Sequence, residues 1–488
     1  MAASRILIIR LPCHKVYPTG PLYLLSLINK AAPQTKQQVL DLALSDRSRH
    51  VSLVARAVAD FRPDVVAFSW RDVQIFSPQD LDGAMRDAFV FFHEPSLLGK
   101  LAAAFRGLRD ILTFRSSLAH ILHIIRKTAE ANPGMKIALG GSSIRIFGRQ
   151  LQSKLPGGVR VFTEAGLGSF FSWLGMVAPA DLIEPAIDMD VLEAAFPQWE
   201  EYRGDVIGIQ TKQGCPQDCL YCLYGFLEGK AVRHREPARV VAEIGGYARR
   251  WGARRFWLAD AQLLSEPRDH VHLAAILEGT LQEGLAIEWS GYMRIHELDV
   301  PLASLMVRSG LRDLEVSLNS GAPGVLRELQ LGFTVEQVMK GFEVLRQAGY
   351  AGRVLVNLSL NAPGETRETL RETIEAVKRI KRIFGDGRVM PVVFFLAVQP
   401  HTGLEQRALA DGHLKQGYDP LSVMPWDVLK LIYNPPPLGG MIGRACARAF
   451  ARGGDDVGER ILGSIEAELQ RRPAGGNAAR GVAEVSGR

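Results

Sequence analysis

Three of the chain's five cysteines, Cys215, Cys219 and Cys222, fall within eight residues in the run GCPQDCLYC, just behind the β-branched run Val206–Thr211. This placement constrains the fold more than any other feature: a strand must deliver the chain to a loop that wraps one metal centre. Three thiolates at this spacing can hold three corners of a cubane [4Fe–4S] cluster and leave the fourth iron without a protein cysteine. A structural zinc site wants four ligands, usually in two paired knuckles. No second pair exists here, and Cys13 and Cys446 are remote in sequence. An odd count, three of them packed together, does not read as a secreted disulfide framework and points to a metal site in a reducing cytoplasm.

The cysteines lie near the start of one of two βα series. Residues 1–180 alternate helical patterns with the apolar runs Arg5–Arg10, Gln38–Leu42, Asp64–Trp70, Lys136–Leu139 and Val159–Phe162. Strands separated by crossover helices imply a parallel sheet covered on both faces, here a Rossmann-like domain. It carries a helical insertion at about 75–130. A Pro- and acid-containing linker, 181–203, leads to a second series over 204–405 with strands at Val206–Thr211, Arg255–Leu258, Ile287–Tyr292, Leu314–Leu318, Val354–Leu360 and Met390–Ala397. Six such units close into a partial (β/α)6 barrel, with function at the carboxyl ends of its strands. A small, mostly helical segment, 406–471, follows, and 472–488 reads as a disordered tail. The fold class is therefore α/β.

Composition narrows the partners. A formal charge of +6 on 488 residues is mild, and the basic residues are scattered through helical stretches. Nucleic acid is therefore not an expected partner. Nowhere do about 18 apolar residues run uninterrupted, so no integral membrane segment is expected. The N-terminus lacks a signal-peptide cleavage site, which fits a cytoplasmic protein. The amphipathic stretch Leu98–Ile125 can be read as a membrane-touching face or, preferably, as a helix pair packed on its own domain.

The cysteine motif resembles that of the radical S-adenosylmethionine (SAM) enzymes, whose open iron is chelated by SAM. The resemblance covers 204–405. Tyr221 matches the aromatic the family often keeps before the third cysteine. Asp260 and Gln262, after the second barrel strand, resemble the turn that meets the SAM amino group. Arg294 resembles the basic residue near the SAM carboxylate. Ser317 and Asn319 resemble the fourth-strand motif, with Asn319 where the family usually has glutamate. Pro363 and Gly364 in NAPGE resemble the turn whose backbone approaches the adenosine, and Gln399–Gly403 (QPHTG) a similar turn after strand six.

A parallel α/β domain ahead of such a barrel resembles the cobalamin-binding class of this family. Tyr17–Leu25 is similar to its first-helix opening. Gly140, Gly141 and Ser142 in LGGSS resemble the turn after the fourth strand, and Glu164 and Gly166 in EAGLGS the turn after the fifth. Glycines there allow tight turns and let backbone N–H groups approach a ligand. A complete GxGxxG fingerprint after the first strand is absent, which argues against NAD. The alternative is a degenerate domain that binds nothing or binds a nucleotide. Trp70 and Arg71 close the third strand, and alternation predicts that only one of them faces the ligand cleft. Arg71 resembles an arginine placed under cobalt in a tryptophan-methylating branch; a guanidinium has no lone pair with which to ligate the metal. Asp72 is its expected ion-pair partner.

The resemblance implies a [4Fe–4S] cluster, SAM and cobalamin as cofactors. It implies a flavodoxin- or ferredoxin-type reductant and a small-molecule substrate as partners. It implies C-methylation of a poorly activated carbon. The alternatives are a radical SAM oxidase, cyclase or mutase whose cobalamin carries no methyl group, and a cobalamin- or redox-sensing regulator without turnover. Methylthio transfer to tRNA is disfavoured, because neither a second cysteine triad nor a basic tail is present. His14, His234 and His401 stand without a partner constellation, and no catalytic side chain is assigned. Residues 418–443, with Trp426, Tyr433 and Pro435–Pro437, are read as closing the barrel rather than lining a pocket.

Overall fold

The structure, a computed structural model, describes residues 3–71, 87, 90–93, 96–164, 166–422, 424–451 and 456–471. Asp72, residues 73–86 and the tail 472–488 lie outside the described residues, and with them the ion pair expected of Asp72 and the disorder expected of the tail.

The apolar runs of the first half form β1 (Arg5–Arg10), β2 (Lys36–Asp41), β3 (Val65–Ser69), β4 (Lys136–Gly140) and β5 (Val159–Val161). Every pairing is parallel, in the order β2-β1-β3-β4-β5. Helices cover both faces, so successive residues are apolar rather than alternating: Ile6 through Ile9 and Val65–Val66 are wholly buried. The strand order reverses between β1 and β3, which opens a crevice beyond their carboxyl ends, the usual ligand position in such sheets.

In the second half come β6 (Ile207–Ile209), a two-residue hairpin of β7 (Lys212–Gln213) and β8 (Arg233–His234), then β9 (Arg255–Leu258), β10 (Glu288–Met293), β11 (Leu311–Asn319), β12 (Arg353–Leu360) and β13 (Val389–Ala397). Strands β6 and β9–β13 are parallel neighbours in chain order, the expected six. The sequence did not announce β14 (Ile432–Tyr433), which adds antiparallel to β13 and closes that edge. The Asn361 amide donates to Asn434 Oδ1 and to the Pro435 carbonyl, both at 2.7 Å, so residues 432–435 seal the barrel as expected. β6 stops two residues short of the expected Thr211. The cause is Asp260, whose carboxylate takes the Thr211 and Lys212 N–H groups at 2.7 and 3.1 Å and draws the chain off the ladder.

One apolar core runs through both halves, from Ile6 and Leu22 to Ile207 and Leu258. Polar ties reinforce it. Thr19 Oγ1 donates to the Gly208 carbonyl at 3.0 Å, and a Cβ at Gly208 would lie 2.7 Å from that hydroxyl. Arg235 is buried against Glu243 at 2.7 Å, Tyr23 at 3.0 Å and Glu184 at 3.5 Å, joining barrel, first helix and linker. The stretch read as a helix pair is one 35-residue helix, Leu97–Ala131. Its second half buries Ile121, Ile124 and Ile125, while Leu98, Leu101, Phe105, Leu108 and Leu112 are exposed. Among the described residues no helix is long and apolar enough to cross a membrane.

Candidate functional site

The hairpin of β7 and β8 gathers the base of the cysteine loop. Within it the Cys215 N–H donates to the Gly229 carbonyl at 3.0 Å, and the Cys222 N–H to the Cys219 carbonyl at 3.0 Å. The Leu220 N–H and carbonyl are tied to Leu329 and Leu404 at 3.0 and 2.8 Å. Lys230 reaches back to Asp218 at 2.6 Å. Burial pushes all three thiols up, Cys219 to about 12, and Cys219 and Cys222 also feel the charge of neighbouring thiols. Lys212, Lys230 and Arg294 act in the opposite direction on Cys215. Three close, largely buried thiols ringed by cations fit an anionic metal cluster, whose binding must displace their protons.

Buried polar atoms are normally hydrogen-bonded, so an unsatisfied one asks for a water, an ion or a ligand. Among the described residues Gln262 Oε1, Arg294 Nε, Glu365 Oε1 and Gln399 Oε1 have no partner. All four follow the carboxyl ends of barrel strands, and Arg294 lies within electrostatic reach of Cys215 and Cys219. Arg294 otherwise donates to the Leu331 carbonyl at 2.9 Å and stacks over Phe333. Burial lowers its pKa, with Cys219 and Cys215 opposing. An acceptor at Gln262 and a donor at Arg294 suit the ammonium and carboxylate of an amino acid such as SAM. Pro363 is buried, and Gly364, at φ +81°, turns the chain at the same rim.

Two expected contacts are placed differently. Asp260 is 1% exposed and its oxygens serve Thr211 and Lys212. Asn319 is fully buried at φ +62°, where its Oδ1 accepts from Tyr221 at 3.1 Å and Ser359 at 2.9 Å. Neither side chain can touch a ligand without moving. They position the loop: Asp260 fixes its first strand, and Asn319 holds the aromatic inside the motif. Ser317 contributes its carbonyl, which accepts from the Asn319 amide at 3.3 Å.

At the end of β3, Trp70 is 1% exposed and packs in the sheet core, with its Nε1 unsatisfied. Trp70 is thus the buried and Arg71 the exposed member of the pair. Burial raises the Tyr224 phenol's pKa, and the Arg71 charge opposes that rise, so Arg71 lies near the element behind Cys222. Gly141, at φ +107°, needs to be glycine for the sheet itself, because a Cβ would sit 2.3 Å from the Trp70 carbonyl oxygen. Gly140, Gly166 and Gly168 face open space. Glu164 is exposed beside them, Ser142 is half-buried, and Ser169 Oγ is buried without a partner. An open glycine rim with an orphaned hydroxyl and one cation fits a large polar ligand at the switch point. Arg145 donates to the Phe226 carbonyl at 2.7 Å, and His401 stacks on Phe226 at 4.1 Å while bonding the Ile146 carbonyl. This clamp brings the β4 turn and the cysteine loop into one neighbourhood.

His234 and His401 therefore do have partners that sequence reasoning missed. His234 Nε2 lies 2.7 Å from Asp269 Oδ1, whose other oxygen pairs with buried Lys212. Glu228, which accepts the Gly214 N–H at 3.1 Å and is pushed up to about 7 by burial, was missed too. No local signal marks these residues, since each partner is brought in by folding. Glu365 stood inside the NAPGE run, and that turn was its only signal.

Residues 209–377 match the Radical SAM superfamily. The barrel is a radical SAM domain. Curated relatives include an uncharacterized methyltransferase of Pyrococcus horikoshii, 22% identical over 205 residues, 41% of this chain and 44% of the relative. Another is the tRNA-2-methylthio-N(6)-dimethylallyladenosine synthase of Thermobifida fusca, 24% identical over 268 residues, 53% of each. The chain spans about half the length of these relatives. Among solved structures, the radical SAM methyltransferase TsrM of Kitasatospora setae, bound to cobalamin and a [4Fe–4S] cluster, aligns at TM-score 0.65 and 16% identity over 99% of this chain and 94% of that one. The cobalamin-dependent radical SAM enzyme OxsB with aqua-cobalamin aligns at TM-score 0.54 and 13% identity over 84% and 55%. The α/β architecture ahead of the radical SAM domain is thus the fold of those two enzymes.

Proposed function

We propose that this chain is a cobalamin-dependent radical SAM enzyme that methylates a carbon of a small molecule. The observation that carries the reading is the end of β3. Trp70 is locked into the core, and Arg71, the exposed residue after it at the end of β3, lies near Tyr224 behind the cysteine loop. A guanidinium has no lone pair to give, so Arg71 would stand beside a bound corrin without ligating its metal. When bound, the cluster supplies single electrons to SAM and the corrin supplies a methyl carrier.

The chain's own residues do the positioning. Cys215, Cys219 and Cys222 would hold the cluster, with Lys212, Lys230 and Arg294 offsetting its charge. Gln262 and Arg294 would orient the amino-acid end of SAM. The open turns at Gly140 and Gly166 would admit the corrin edge, and the clamp of Arg145, Phe226 and His401 keeps the two cofactor regions in register. TsrM is described with a tryptophan substrate, which supports a small-molecule substrate here. The methylthio-transferase relatives align over about half of this chain.

The test is anaerobic reconstitution with iron, sulfide and hydroxocobalamin, followed by reduction and SAM bearing a deuterated methyl group. Label on the corrin together with S-adenosylhomocysteine supports methylation. 5′-Deoxyadenosine without label on bound cobalamin would support a cyclase or oxidase instead. A readout without turnover is Arg71→His: the imidazole should ligate cobalt and shift the corrin absorption, and an unshifted spectrum would separate Arg71 from the corrin.

A further inference from the structure

The helix Leu97–Ala131 is apolar on a side where a helix at a protein surface is normally polar. Its inward side is set by Ala103, buried against Val90 and Ala447, and farther on by Ile121 and Ile125. Leu98, Leu101, Phe105, Leu108 and Leu112 recur at intervals of three and four, so they form one row, roughly 21 Å long, on the opposite side. All five are exposed, Leu98 at 79% and Phe105 at 80%. Beyond Leu112 the same outward side carries Ser116, His123 and Arg126, which are exposed as well and suit water. The apolar row is therefore a local departure, and it presents on the order of 500 Å² of apolar surface, the size of patch that marks an interaction site.

Charge specifies what the row meets. Residues 97–115 hold four cations, Lys100, Arg106, Arg109 and Arg115, against one acid, Asp110. Arg106 is engaged by Asp87 at 2.8 Å. By helical spacing Lys100 and Arg109 fall on the two flanks of the row, and Arg115 follows its end; Arg109 and Arg115 are exposed and Lys100 is half-buried. The exposed Arg444 brings a further positive charge to this end, since it and Lys100 both act on His93. Leucines and a phenylalanine edged by cations match the surface of an anionic bilayer, whose acyl boundary takes the apolar row and whose headgroup phosphates take the flanks. A second copy of the chain fits less well. A two-fold contact would set the patch against itself and crowd Lys100, Arg109 and Arg115 of the two copies together. Its area also falls short of the roughly 800 Å² per partner that a standard stable interface buries.

We propose that the first half of this helix docks the chain on the surface of an anionic membrane. The helix lies in the plane of the headgroups, with Leu98, Leu101, Phe105, Leu108 and Leu112 in the acyl boundary and no segment crossing the bilayer.

The test is cosedimentation of the full chain with vesicles of phosphatidylcholine containing phosphatidylglycerol, and with vesicles of phosphatidylcholine alone. The chain should bind the anionic vesicles at least about tenfold more tightly. A variant combining Leu101→Ser, Phe105→Ser and Leu108→Ser should lose that binding, and one combining Lys100→Gln and Arg115→Gln should weaken it about tenfold. The substituted side chains lie outside the core, so both variants should keep the wild-type unfolding midpoint and the iron held after reconstitution, which certifies the fold. Equal binding to the two vesicle types, binding to neither, or binding that survives the serine variant overturns the proposal. So does a lipid-free dimer in sedimentation velocity that the serine variant turns into a monomer, which would assign the row to a second copy.

Discussion

Replacing Gly214 with alanine should detach the cysteine loop from its base, and Gly229→Ala supplies the control. Both glycines have positive φ, +98° and +89°, so in each case a side chain brings roughly 1–2 kcal/mol of backbone strain. Only at Gly214 does the new Cβ also meet backbone, 2.2 Å from the Ala231 carbonyl oxygen and 2.9 Å from its carbon. That is about 1 Å inside an ordinary C···O contact, and a backbone carbonyl in a hairpin cannot swing aside as a side chain can. Overpacking of this kind adds about 1–3 kcal/mol. At Gly229 nothing lies within 4 Å of the Cβ. Gly214→Ala should therefore lose about 2–5 kcal/mol and Gly229→Ala about 1–2. The penalty falls where Gly214 donates to Glu228 and where the next residue is Cys215. Chemical denaturation measures the stability, and iron per chain after anaerobic reconstitution measures the site. Gly214→Ala should hold clearly less iron than Gly229→Ala. Equal iron and equal unfolding midpoints would refute the claim that this close approach shapes the loop.

Three further outcomes are expected. Alanine at Cys215, Cys219 or Cys222 should abolish reconstituted iron, whereas Cys446→Ala should keep it, because that thiol is wholly buried far from the loop in sequence; iron analysis of the four variants decides. Asn319→Ala removes the acceptor of Tyr221 and Ser359 and leaves both hydroxyls without it, costing about 2–4 kcal/mol; Tyr221→Phe, which removes one donor, should cost about 1 kcal/mol by urea denaturation. Burial pushes Glu365 up to about 8 from its ordinary 4.5, with the Ala362 and Asn361 N–H groups opposing. The folded state therefore holds this proton more tightly than the unfolded one. That stabilisation is complete below pH 4.5 and is lost as pH rises through 8, a change of roughly 3–5 kcal/mol. Glu365→Gln should flatten the decline, so a wild-type unfolding midpoint that falls no more steeply than the variant's between pH 5 and 9 sinks the assignment.

The strands and the cysteine site were legible for the same reason: their signals are local. A parallel strand covered on both faces is a continuous apolar run, as in Ile6–Ile9, and three thiols gathered by a single loop are close in sequence. What was illegible depends on partners brought from afar. Asp260 reads as a ligand contact until the fold supplies Thr211, 49 residues earlier, and Asn319 reads likewise until it supplies Tyr221, 98 residues away. His234 looked solitary because Asp269 sits 35 residues on, in the second helix after it, Pro267–Gln282. The hairpin of β7 and β8 was invisible because two-residue strands carry no periodicity, and β14 for the same reason.

Trp70 and Arg71 show where local reasoning stops. Strand alternation dictates that the two side chains part, but not which goes inward. The choice is made by the β4 turn, where the Trp70 N–H bonds the Gly140 carbonyl and the Trp70 carbonyl accepts from Ser143, both across the sheet. Those bonds fix the strand-end rotation, and Gly141 permits the close approach that they require. The LGGSS run therefore does two things at once: one glycine shapes the sheet so that Arg71 points outward, and the other leaves the rim open beside it. A substitution at Gly141 would act on the crevice through the orientation of Arg71, even though Gly141 itself need touch no ligand.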